Sequence, residues 1–366
     1  MKKLKVALLF GGRSGEHEIS IVSARSVAAA LDKKKYQVLP IYITKDGHWL
    51  APDASQKVLS TDFEELIKSQ STTAIQKIER EMSKLSKTSR FSFDFKKEKI
   101  DVAFPVLHGP FGEDGTIQGL FEMMNVAYAG CGVLSSSLTM DKDMSKICFE
   151  RAGLNVSDYM VVMRSELQEN LNTTLLQAEK KLRYPIFVKP ANMGSSVGIS
   201  KAKNREELSS ALEIAARYDR KIVLEKAVDA REVEVAVLGN ENPIASTVGE
   251  IVPCNEFYDY EAKYVKGTSE LYIPARVPKS VQEKLQKAAI EAYKATGCEG
   301  MARVDFFLER KTNRIYINEI NTIPGFTSIS MYPKLFAASG IDYSTLIDRL
   351  IDLALERHAD KETNIV

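Results

Sequence analysis

The most informative part of this sequence consists of three consecutive segments: Arg303-Val-Asp-Phe-Phe-Leu308, a polar turn from Glu309 to Asn313, and Arg314-Ile-Tyr-Ile-Asn-Glu-Ile-Asn321. Both halves are rich in Val, Ile, Phe and Tyr, and the turn between them is polar, so the stretch predicts a β-hairpin. Because side chains alternate faces along a strand, every second residue of each half lies on the same side of the sheet.

One face of this hairpin is polar where alternation would place apolar packing. Arg303 and Asp305 share that face, Glu319 and Asn321 share it too, and folding about the turn sets Arg303 opposite Glu319. The three oxygen donors suit Mg²⁺, which takes few protein carboxylates and leaves its other positions to substrate phosphates. A solvated outer face with a salt bridge explains any single charged residue of a strand. Four such residues in register favour a site.

A loop rich in Gly and Ser follows a strand that ends in a lysine. Lys189 closes the strand 185–190, and the loop Ala191-Asn-Met-Gly-Ser-Ser-Val-Gly-Ile-Ser200 comes next, while Lys142 opens an apolar helical run further upstream. Small residues let backbone N–H groups approach phosphate oxygens, and lysines supply point charges. The loop matches neither the GxxxxGK[ST] nor the GxGxxG fingerprint, so alone it fits a plain hairpin turn equally well.

Two further predicted strands carry carboxylates. Ile222-Val-Leu-Glu225-Lys226 ends one strand, and Arg231-Glu-Val-Glu-Val-Ala-Val-Leu238 places Glu232 and Glu234 on one face of the next. Buried carboxylates are costly unless they are paired or hydrogen-bonded. These glutamates are therefore either edge positions or ligands for the amino and hydroxyl groups of a nucleotide.

Composition narrows the class of protein. The chain has 366 residues, enough for two or three domains, and its 50 Lys and Arg balance 49 Asp and Glu. That balance gives no reason to expect nucleic acid or an anionic membrane as partner. Its 4 cysteines are scattered without a CxxC pair, as in a reducing cytoplasm, and no apolar run approaches the ~20 residues of a membrane span. The short apolar run after Met1 does not suit a signal peptide, so we expect a soluble, cytoplasmic protein.

The predicted elements give an α/β class with three parts. A strand at 5–10, a helix that begins near Glu16 and a strand at 37–43 form a βαβ start and predict a parallel sheet. The strand 101–107 leads into the loop His108–Gly115, at the sheet edge where such folds bind ligands. Residues 61–99 lack strong periodicity and are expected to be surface insertions.

The domain boundaries are expected near residues 133 and 225. This division gives an N-terminal α/β domain at 1–132, a central part at 133–224 and a C-terminal part at 225–366. In the central part, Asn204 and Glu207 predict a helix capping box. In the C-terminal part, 249–278 is expected to be a long irregular excursion that acts as a lid. Helices are expected at 281–296 and 346–357.

Several motifs, in this order and spacing, carry a family resemblance along nearly the whole chain. They are Phe10-Gly-Gly-Arg-Ser-Gly-Glu-His-Glu-Ile-Ser20, His108-Gly-Pro-Phe-Gly-Glu-Asp-Gly115, Lys189-Pro-Ala-Asn-Met-Gly-Ser-Ser-Val-Gly198, Glu256-Phe-Tyr-Asp-Tyr-Glu-Ala-Lys-Tyr264, Arg303-Val-Asp305 and Glu319-Ile-Asn-Thr-Ile-Pro-Gly-Phe-Thr-Ser328. With them the chain resembles the D-alanine–D-alanine ligases of the ATP-grasp superfamily.

The resemblance implies a fold and a reaction. The fold is an N-terminal parallel-sheet domain followed by two α+β domains that sandwich a nucleotide. The reaction is ATP-dependent ligation of two D-alanines through a D-alanyl phosphate, for peptidoglycan precursors. A D-serine or D-lactate ligase is the alternative within the class, and Tyr264 argues against lactate because lactate-using relatives often carry Phe there. A nucleotide-binding regulatory protein without catalysis is disfavoured, since the four polar residues of the hairpin face are all retained.

The resemblance also implies roles for individual residues. Two Mg²⁺ ions, for which Mn²⁺ can substitute, would be held by Asp305, Glu319 and Asn321. ATP would be bound by Lys142, Lys189, Ser196, Glu225, Lys226, Val228, Glu232 and Lys263. The reacting groups would be served by Glu16, His108, Ser195, Tyr264, Arg303, Gly325 and Ser330. The partners implied are D-alanine, ATP and a second copy of the chain, with no nucleic acid or membrane.

Among the residues around the reacting groups, Glu16 would bind the ammonium of the first D-alanine, although an acidic residue at a helix N-terminus is also favourable by itself. His108 would lie near the first substrate, unless it is an ordinary hydrogen-bonded loop histidine. Arg303 and the Gly325 N–H would hold the oxyanion, and Ser330 would bind the second carboxylate. Ser195 and Tyr264 would link the Gly-rich loop, the lid and Glu16, or else serve turn formation and packing.

Overall fold

The computed structural model describes residues 2–69, 71–88, 94–252 and 270–365. Three sheets organise these residues, each with its own helices. No helix in the described ranges is long and apolar enough to cross a membrane.

The first sheet is parallel, as the βαβ start predicts. Strands β1, β2 and β3 lie in the order β2-β1-β3, and β1 pairs in parallel with both neighbours. β1 is apolar and buried along most of its length because helices cover both faces of such a sheet. The elements of this part are β1 (Leu4–Gly11), α1 (His17–Ala30), β2 (Tyr36–Ile43), α2 (Pro52–Ser60), α3 (Phe63–Lys68), α4 (Thr72–Thr88), β3 (Val102–Pro105), α5 (Thr116–Met124) and α6 (Val133–Met140).

The expectation for residues 61–99 is wrong in part, because α3 and α4 are regular helices. Asp62 caps α3 by accepting a hydrogen bond from the Glu65 N–H. Met82 of α4 is buried in the main core, and Ile75 and Ile78 pack against it. An apolar stripe this narrow, on a helix rich in Lys and Glu, is hard to separate from a solvated insertion by composition alone.

The second sheet is antiparallel, with the order β4-β7-β5-β6. The N-cap half of the predicted capping box is confirmed, because Asn204 accepts from the Glu207 N–H, but the Glu207 carboxylate accepts from the Lys203 N–H instead of the Asn204 N–H. The elements are α7 (Lys142–Arg151), β4 (Tyr159–Met163), α8 (Arg164–Leu182), β5 (Ile186–Pro190), β6 (Ser200–Ala202), α9 (Arg205–Tyr218) and β7 (Lys221–Lys226).

The third sheet is antiparallel, with the order β10-β9-β8-β11-β12. Part of the segment expected to be irregular is regular: β9 continues to Val252, and β10 pairs with it. The rest of that segment, 253–269, lies outside the described residues. The elements are β8 (Ala230–Leu238), β9 (Ile244–Val252), β10 (Glu270–Tyr272), α10 (Lys279–Ala295), β11 (Met301–Glu309) and β12 (Ile315–Asn321).

The hairpin β11–β12 is confirmed, but its expected register is wrong. Arg303 pairs with Asn321 and Asp305 with Glu319, and the register shifts after Asp305. The position of the turn shifts the register by one residue, and the bulge, which inserts a residue on one strand, shifts it by one more. The combined offset is two residues, so the same side chains stay on the same face.

Two helices end the described chain: α11 (Met331–Ala338) packs against β8 and β9 of the third sheet, whereas α12 (Tyr343–Lys361) returns to the first sheet and contacts β3 and α1. Leu346 and Leu350 of α12 share one buried core with Val6 and Leu8 of β1. Arg357 of α12 donates to the carbonyls of Gly130 and Tyr128, at 2.5 and 2.8 Å. The chain beyond residue 340 therefore completes the core that its first strands begin.

Candidate active site

A cleft of about 750 Å³ lies where the three sheets meet, and it collects most of the predicted site residues. Its lining includes Glu16, His108, Lys142, Lys189, Ser195, Ser196, Glu225, Lys226, Val228, Glu232, Arg303, Asp305, Glu319, Asn321 and Gly325. Lys263 and Tyr264 lie outside the described residues. A cleft of this size suits a small ligand together with a nucleotide.

Arg303 anchors the polar face of the third sheet. Its Nε and Nη2 each donate to Asp305 at 2.7 Å, and its Nε lies 3.1 Å from Glu234 on β8. Burial alone would lower the pKa of Arg303, but Asp305 and Glu234 outweigh it and raise that pKa above its usual range. The guanidinium is therefore a permanent cation in a rigid two-point bond.

The donors for a metal ion lie on the same face. Asn321 Nδ2 donates to Asp305 Oδ2 at 2.9 Å, and Asp305 is the cross-strand partner of Glu319. No cluster of three or more His, Cys, Asp or Glu residues that could hold a metal is found among the described residues. Two carboxylates and an amide fit Mg²⁺, which relies on substrate phosphates and water rather than an all-protein cage. Lys142 Nζ, 3.9 Å from Glu319 Oε2, adds a second cation at this edge.

Glu225 forms the centre of a buried ionic cluster. Lys146 Nζ lies 3.3 Å from its Oε1, Lys189 Nζ lies 3.1 Å from its Oε2, and Ser157 donates to Oε2 at 3.1 Å. Burial alone would raise the pKa of Glu225, but Lys146 and Lys189 outweigh it and hold that pKa at about 2. Glu225 thereby fixes the side chain of Lys189 at the wall of the cleft.

The Gly-rich loop is tied to helix α7 through Lys142. Lys142 Nζ donates to the Met193 carbonyl at 2.6 Å, and the Lys142 backbone N–H donates to the Ala191 carbonyl at 3.1 Å. Within the loop, Ser195 and Ser196 have positive φ angles of 51° and 60°. Consecutive residues in this strained region are characteristic of functional loops, and here they turn the backbone toward the cleft.

Glu16 ends the first βα loop and lies between the loop His108–Gly115 and the Gly-rich loop. It precedes α1 directly, and its backbone N–H donates to Ser14 Oγ at 3.2 Å. A Cβ added at Gly109 would lie 3.5 Å from Glu16 Oε2, and one added at Gly194 would lie 3.6 Å from the same atom. The carboxylate thus faces two loops that lie far apart in sequence and leave room beside it.

His108 is buried and has both ring nitrogens engaged within the protein. Its Nδ1 lies 3.0 Å from the Ile323 carbonyl, and its Nε2 lies 3.1 Å from Ser23 Oγ. Burial lowers the pKa of His108, which keeps the ring neutral at neutral pH.

Glu113, in the same loop as His108, is a cleft residue that the motif contained but that the residue-by-residue reasoning passed over. It accepts from the Gly109 N–H at 2.7 Å and from the Ile323 N–H at 3.3 Å. Removal from water, assisted by the charge of Glu16, raises the pKa of Glu113 to about 8.

Other residues of the site were also missed by sequence reasoning. Lys146 lies one helical turn after Lys142, so the i,i+4 spacing of two lysines on one buried face could have revealed it. Phe187 and Phe307 line the cleft, and the alternation of their strands could have placed both rings there.

Gly325 and Ser330 lie close together after β12. A Cβ added to Gly325 would lie 2.6 Å from Ser330 Oγ, so any side chain there would have to displace the Ser330 hydroxyl. Ser330 Oγ accepts from the Thr327 N–H at 3.0 Å and bonds to Thr327 Oγ1 at 2.8 Å. These bonds hold the hydroxyl beside the backbone of Gly325.

Comparison with known proteins gives matches along the whole chain. Residues 5–131 match the family model described as "D-ala D-ala ligase N-terminus", and residues 148–352 match "D-ala D-ala ligase C-terminus". A D-alanine–D-alanine ligase of Chloroherpeton thalassium is 64% identical over 362 residues, which cover 99% of each chain. One from Chlorobium phaeobacteroides is 50% identical over 357 residues, 98% of this chain and 99% of the relative.

Solved structures give the same likeness. The D-alanine–D-alanine ligase of Coxiella burnetii superposes with a TM-score of 0.81 at 35% identity, covering 99% of this chain and 97% of that one. The VanG D-Ala:D-Ser ligase of Enterococcus faecalis superposes with a TM-score of 0.80, also at 35% identity, covering 96% of this chain and all of that one.

Proposed function

Because the chain belongs to the D-alanine–D-alanine ligase family, with its ATP-grasp fold, we propose that it joins two D-alanines to D-alanyl-D-alanine at the expense of ATP, for peptidoglycan synthesis. The observation that carries this proposal is that one cleft gathers the hairpin face, the Gly-rich loop and Glu16. One similar structure is a D-Ala:D-Ser ligase, but the relatives of highest identity reported above are D-alanine–D-alanine ligases, so the D-serine alternative is not favoured.

In the first step a carboxylate oxygen of the first D-alanine attacks the γ-phosphorus of ATP, and ADP leaves. Glu16 would hold the ammonium of that D-alanine, since its carboxylate faces the cleft between two glycine-containing loops. Lys142 and Lys189 would hold phosphate oxygens, because phosphoryl transfer depends mostly on positioning and on neutralised charge. Ser195 and Ser196 would present the Gly-rich loop to the same phosphates.

The base and sugar of ATP would occupy the part of the cleft between the second and third sheets. Lys226, Val228 and Glu232 line it there, together with the rings of Phe187 and Phe307. Aromatic faces suit a planar base, and a carboxylate can accept from ribose hydroxyls. Glu225 would act here mainly by holding Lys189, because both of its oxygens already have lysine partners.

In the second step the amine of the second D-alanine, once it has lost a proton, attacks the carbonyl carbon of the D-alanyl phosphate. Negative charge develops on the carbonyl oxygen, and phosphate then leaves as the C–O bond breaks. Arg303, fixed by Asp305, would stabilise that oxygen together with the Gly325 N–H, an arrangement typically worth about 10²–10³-fold for each donor. Ser330, beside Gly325, would bind the second carboxylate.

Asp305, Glu319 and Asn321 would hold the Mg²⁺ that accompanies ATP, two ions in our proposal, with Mn²⁺ as a substitute. When bound, such ions would offset the negative charge of the triphosphate during phosphoryl transfer.

The domain division at 1–132, 133–224 and 225–366 is part of the proposal and is supported by the separate sheets of the three parts. We further propose a homodimer. The exposed apolar side chains Leu120 and Met123 of α5 and Leu134 of α6, on helices that contact each other, offer an interface. A cytoplasmic location follows from the use of ATP and of free D-alanine.

Phosphate release from ATP tests the proposed function, with D-alanine, D-serine and D-lactate offered singly and in pairs and the products identified by mass spectrometry. D-Alanine alone should support turnover and yield the dipeptide. A preference for a D-alanine and D-serine pair would replace the main proposal with its alternative. Phosphate release that no D-amino acid stimulates would overturn both.

A further inference from the structure

The backbone around Gly325 is held from both sides by groups of the first sheet's part of the chain. The Ile323 N–H donates to Glu113 Oε1 at 3.3 Å, and the Ile323 carbonyl lies 3.0 Å from His108 Nδ1. On the other side, the Phe326 N–H donates to Ser23 Oγ at 3.3 Å. Between these fixed peptides lie only Pro324 and Gly325.

The chemistry of these contacts permits one arrangement of protons. A carbonyl only accepts, so His108 Nδ1 must carry the proton that bonds Ile323. Nε2 of a neutral ring then accepts, and the hydroxyl of Ser23 must donate to it at 3.1 Å. Ser23 Oγ keeps a lone pair for the Phe326 N–H. A continuous chain of hydrogen bonds thus runs from Phe326 through Ser23 and His108 to Ile323, and each N–H and O–H donor in it has an acceptor.

The surroundings make this chain rigid. Ser23 is fully buried on α1, and Phe326 is fully buried against Phe104 of β3, with ring centroids 6.0 Å apart. The carbonyl of Phe326 accepts from Tyr343 at 2.8 Å. Movement of the peptide before or after Gly325 would therefore break buried hydrogen bonds that no water can replace.

From this geometry we propose that Ser23 and His108 are positioning residues for the second chemical step: they fix the Gly325 N–H at the place where the oxyanion develops. The inference rests on the proposed ligase function. It assigns His108 to the backbone after β12 instead of to the first substrate, because neither ring nitrogen is left for a ligand.

The test compares Ser23→Ala, His108→Asn and the double variant. The side-chain amide introduced by His108→Asn can still donate to the Ile323 carbonyl but cannot reach Ser23, so both single changes break the link between residues 23 and 108. Ser23→Ala also removes the acceptor of the Phe326 N–H. The matched control is Ser55→Ala. Ser55 is an equally buried serine that accepts from the Tyr42 N–H at 2.9 Å and donates to the Leu50 carbonyl at 3.0 Å, away from the cleft.

The readouts are kcat, the KM for each substrate, and the inhibition constant of a phosphinate dipeptide that mimics the tetrahedral intermediate. KM and the inhibition constant do not depend on the concentration of folded enzyme, so partial unfolding of a variant leaves them interpretable. We expect both single variants to lower kcat and to weaken binding of the mimic by about 10–100-fold, since a 1 Å displacement of a catalytic group lowers the rate by up to ~10²-fold. KM for ATP and for the first D-alanine should stay near wild type. The double variant should be no worse than the poorer single one.

Two outcomes would overturn the inference. One is a raised KM for the first D-alanine in His108→Asn but not in Ser23→Ala, with effects on kcat that multiply in the double variant. This outcome would assign His108 to direct contact with the substrate. An unchanged inhibition constant, with a loss of kcat that Ser55→Ala shares, would leave Ser23 with a role in stability only. Wild-type turnover decides the proposed function separately, because a chain that makes no dipeptide fails before any variant is compared.

Discussion

The buried cluster around Glu225 makes Lys146→Met an informative substitution. The two lysines lower the pKa of Glu225 from 4.5 to about 2. At 1.36 kcal/mol for each pH unit, that difference by itself would stabilise the folded protein by ~3 kcal/mol at neutral pH, and the burial that lowers the pKa of Lys146 offsets part of it. Methionine fills the volume of Lys146 but leaves the carboxylate with Lys189 alone. Since an incomplete buried ion pair typically costs about 3–5 kcal/mol, we expect a loss of about 3 kcal/mol.

The pH dependence of this effect has a definite sign. The pKa of Glu225 is lower in the folded chain than in the unfolded one, so its contribution is present above pH 4.5 and is lost as pH falls toward 2. In Lys146→Met the pKa of Glu225 rises, so acid unfolding should begin at a higher pH. Adding Glu225→Gln should restore much of the lost stability, because no carboxylate is then left short of partners.

Urea unfolding at a series of pH values measures both effects, with Lys45→Met as the matched control. Lys45 also contacts two carboxylates, Glu18 and Glu79, at 2.6 and 2.8 Å, but 45% of its side chain is exposed. Exposed pairs contribute about 0.2–1 kcal/mol, so the control should lose far less. Equal losses for the two lysines, with an acid limb that does not shift, would refute the argument that burial gives the Glu225 cluster its strength.

Three other changes test the site. Glu319→Gln should abolish Mg²⁺-dependent phosphate release while the circular dichroism spectrum stays that of the wild type, and near-normal turnover with an unchanged Mg²⁺ requirement would remove Glu319 from the metal site. Gly325→Ala, whose Cβ would lie 2.6 Å from Ser330 Oγ, should lower kcat by about 10²-fold and raise the KM of the second D-alanine, whereas Gly119→Ala, with open space around it, should leave both unchanged. The pKa of Glu113 is raised to about 8, so its contribution to stability is present below pH 4.5 and is lost as pH rises through 8. Between these pH values the free energy of unfolding of Glu113→Gln should therefore increase relative to that of the wild type, as measured by unfolding curves. A difference that stays constant with pH would contradict the raised pKa.

The alternation of residues along the sequence predicted which side chains share a face of the site, but not which residues pair across the strands. The face shared by Arg303 and Asp305 follows from strand alternation, which survives a register error of two residues, so the correct face was found with the wrong cross-strand pairs. The register itself depends on the turn and the bulge, which composition does not encode. Helix α4 was missed because most of its surface is charged and only a narrow stripe reaches the core.

Contacts between distant parts of the chain could not be predicted in this way. Ser23 lies 85 residues from His108 and 303 from Phe326, and nothing local in α1 indicates that its hydroxyl meets either. The same holds for Glu225, whose lysine partners come from two other elements. The family resemblance assigns Glu225 to the nucleotide, and that role stays a prediction; within the folded chain Glu225 contacts Lys146, Lys189 and Ser157. The roles of Lys263 and Tyr264 remain predictions, since both lie outside the described residues.

The return of helix α12 to the first sheet constrains how the protein can be made. During synthesis β1, with Val6 and Leu8, leaves the ribosome early. Leu346 and Leu350, which pack in the same core, emerge more than 300 residues later. Even at about 20 residues per second, that interval leaves an unfinished apolar surface exposed for many seconds. The carbonyls of Tyr128 and Gly130 also lack their hydrogen-bond donor until Arg357 has been synthesised. The nascent N-terminal half is thus a natural client for chaperones, and truncation before α12 should yield an aggregating chain rather than a smaller folded one.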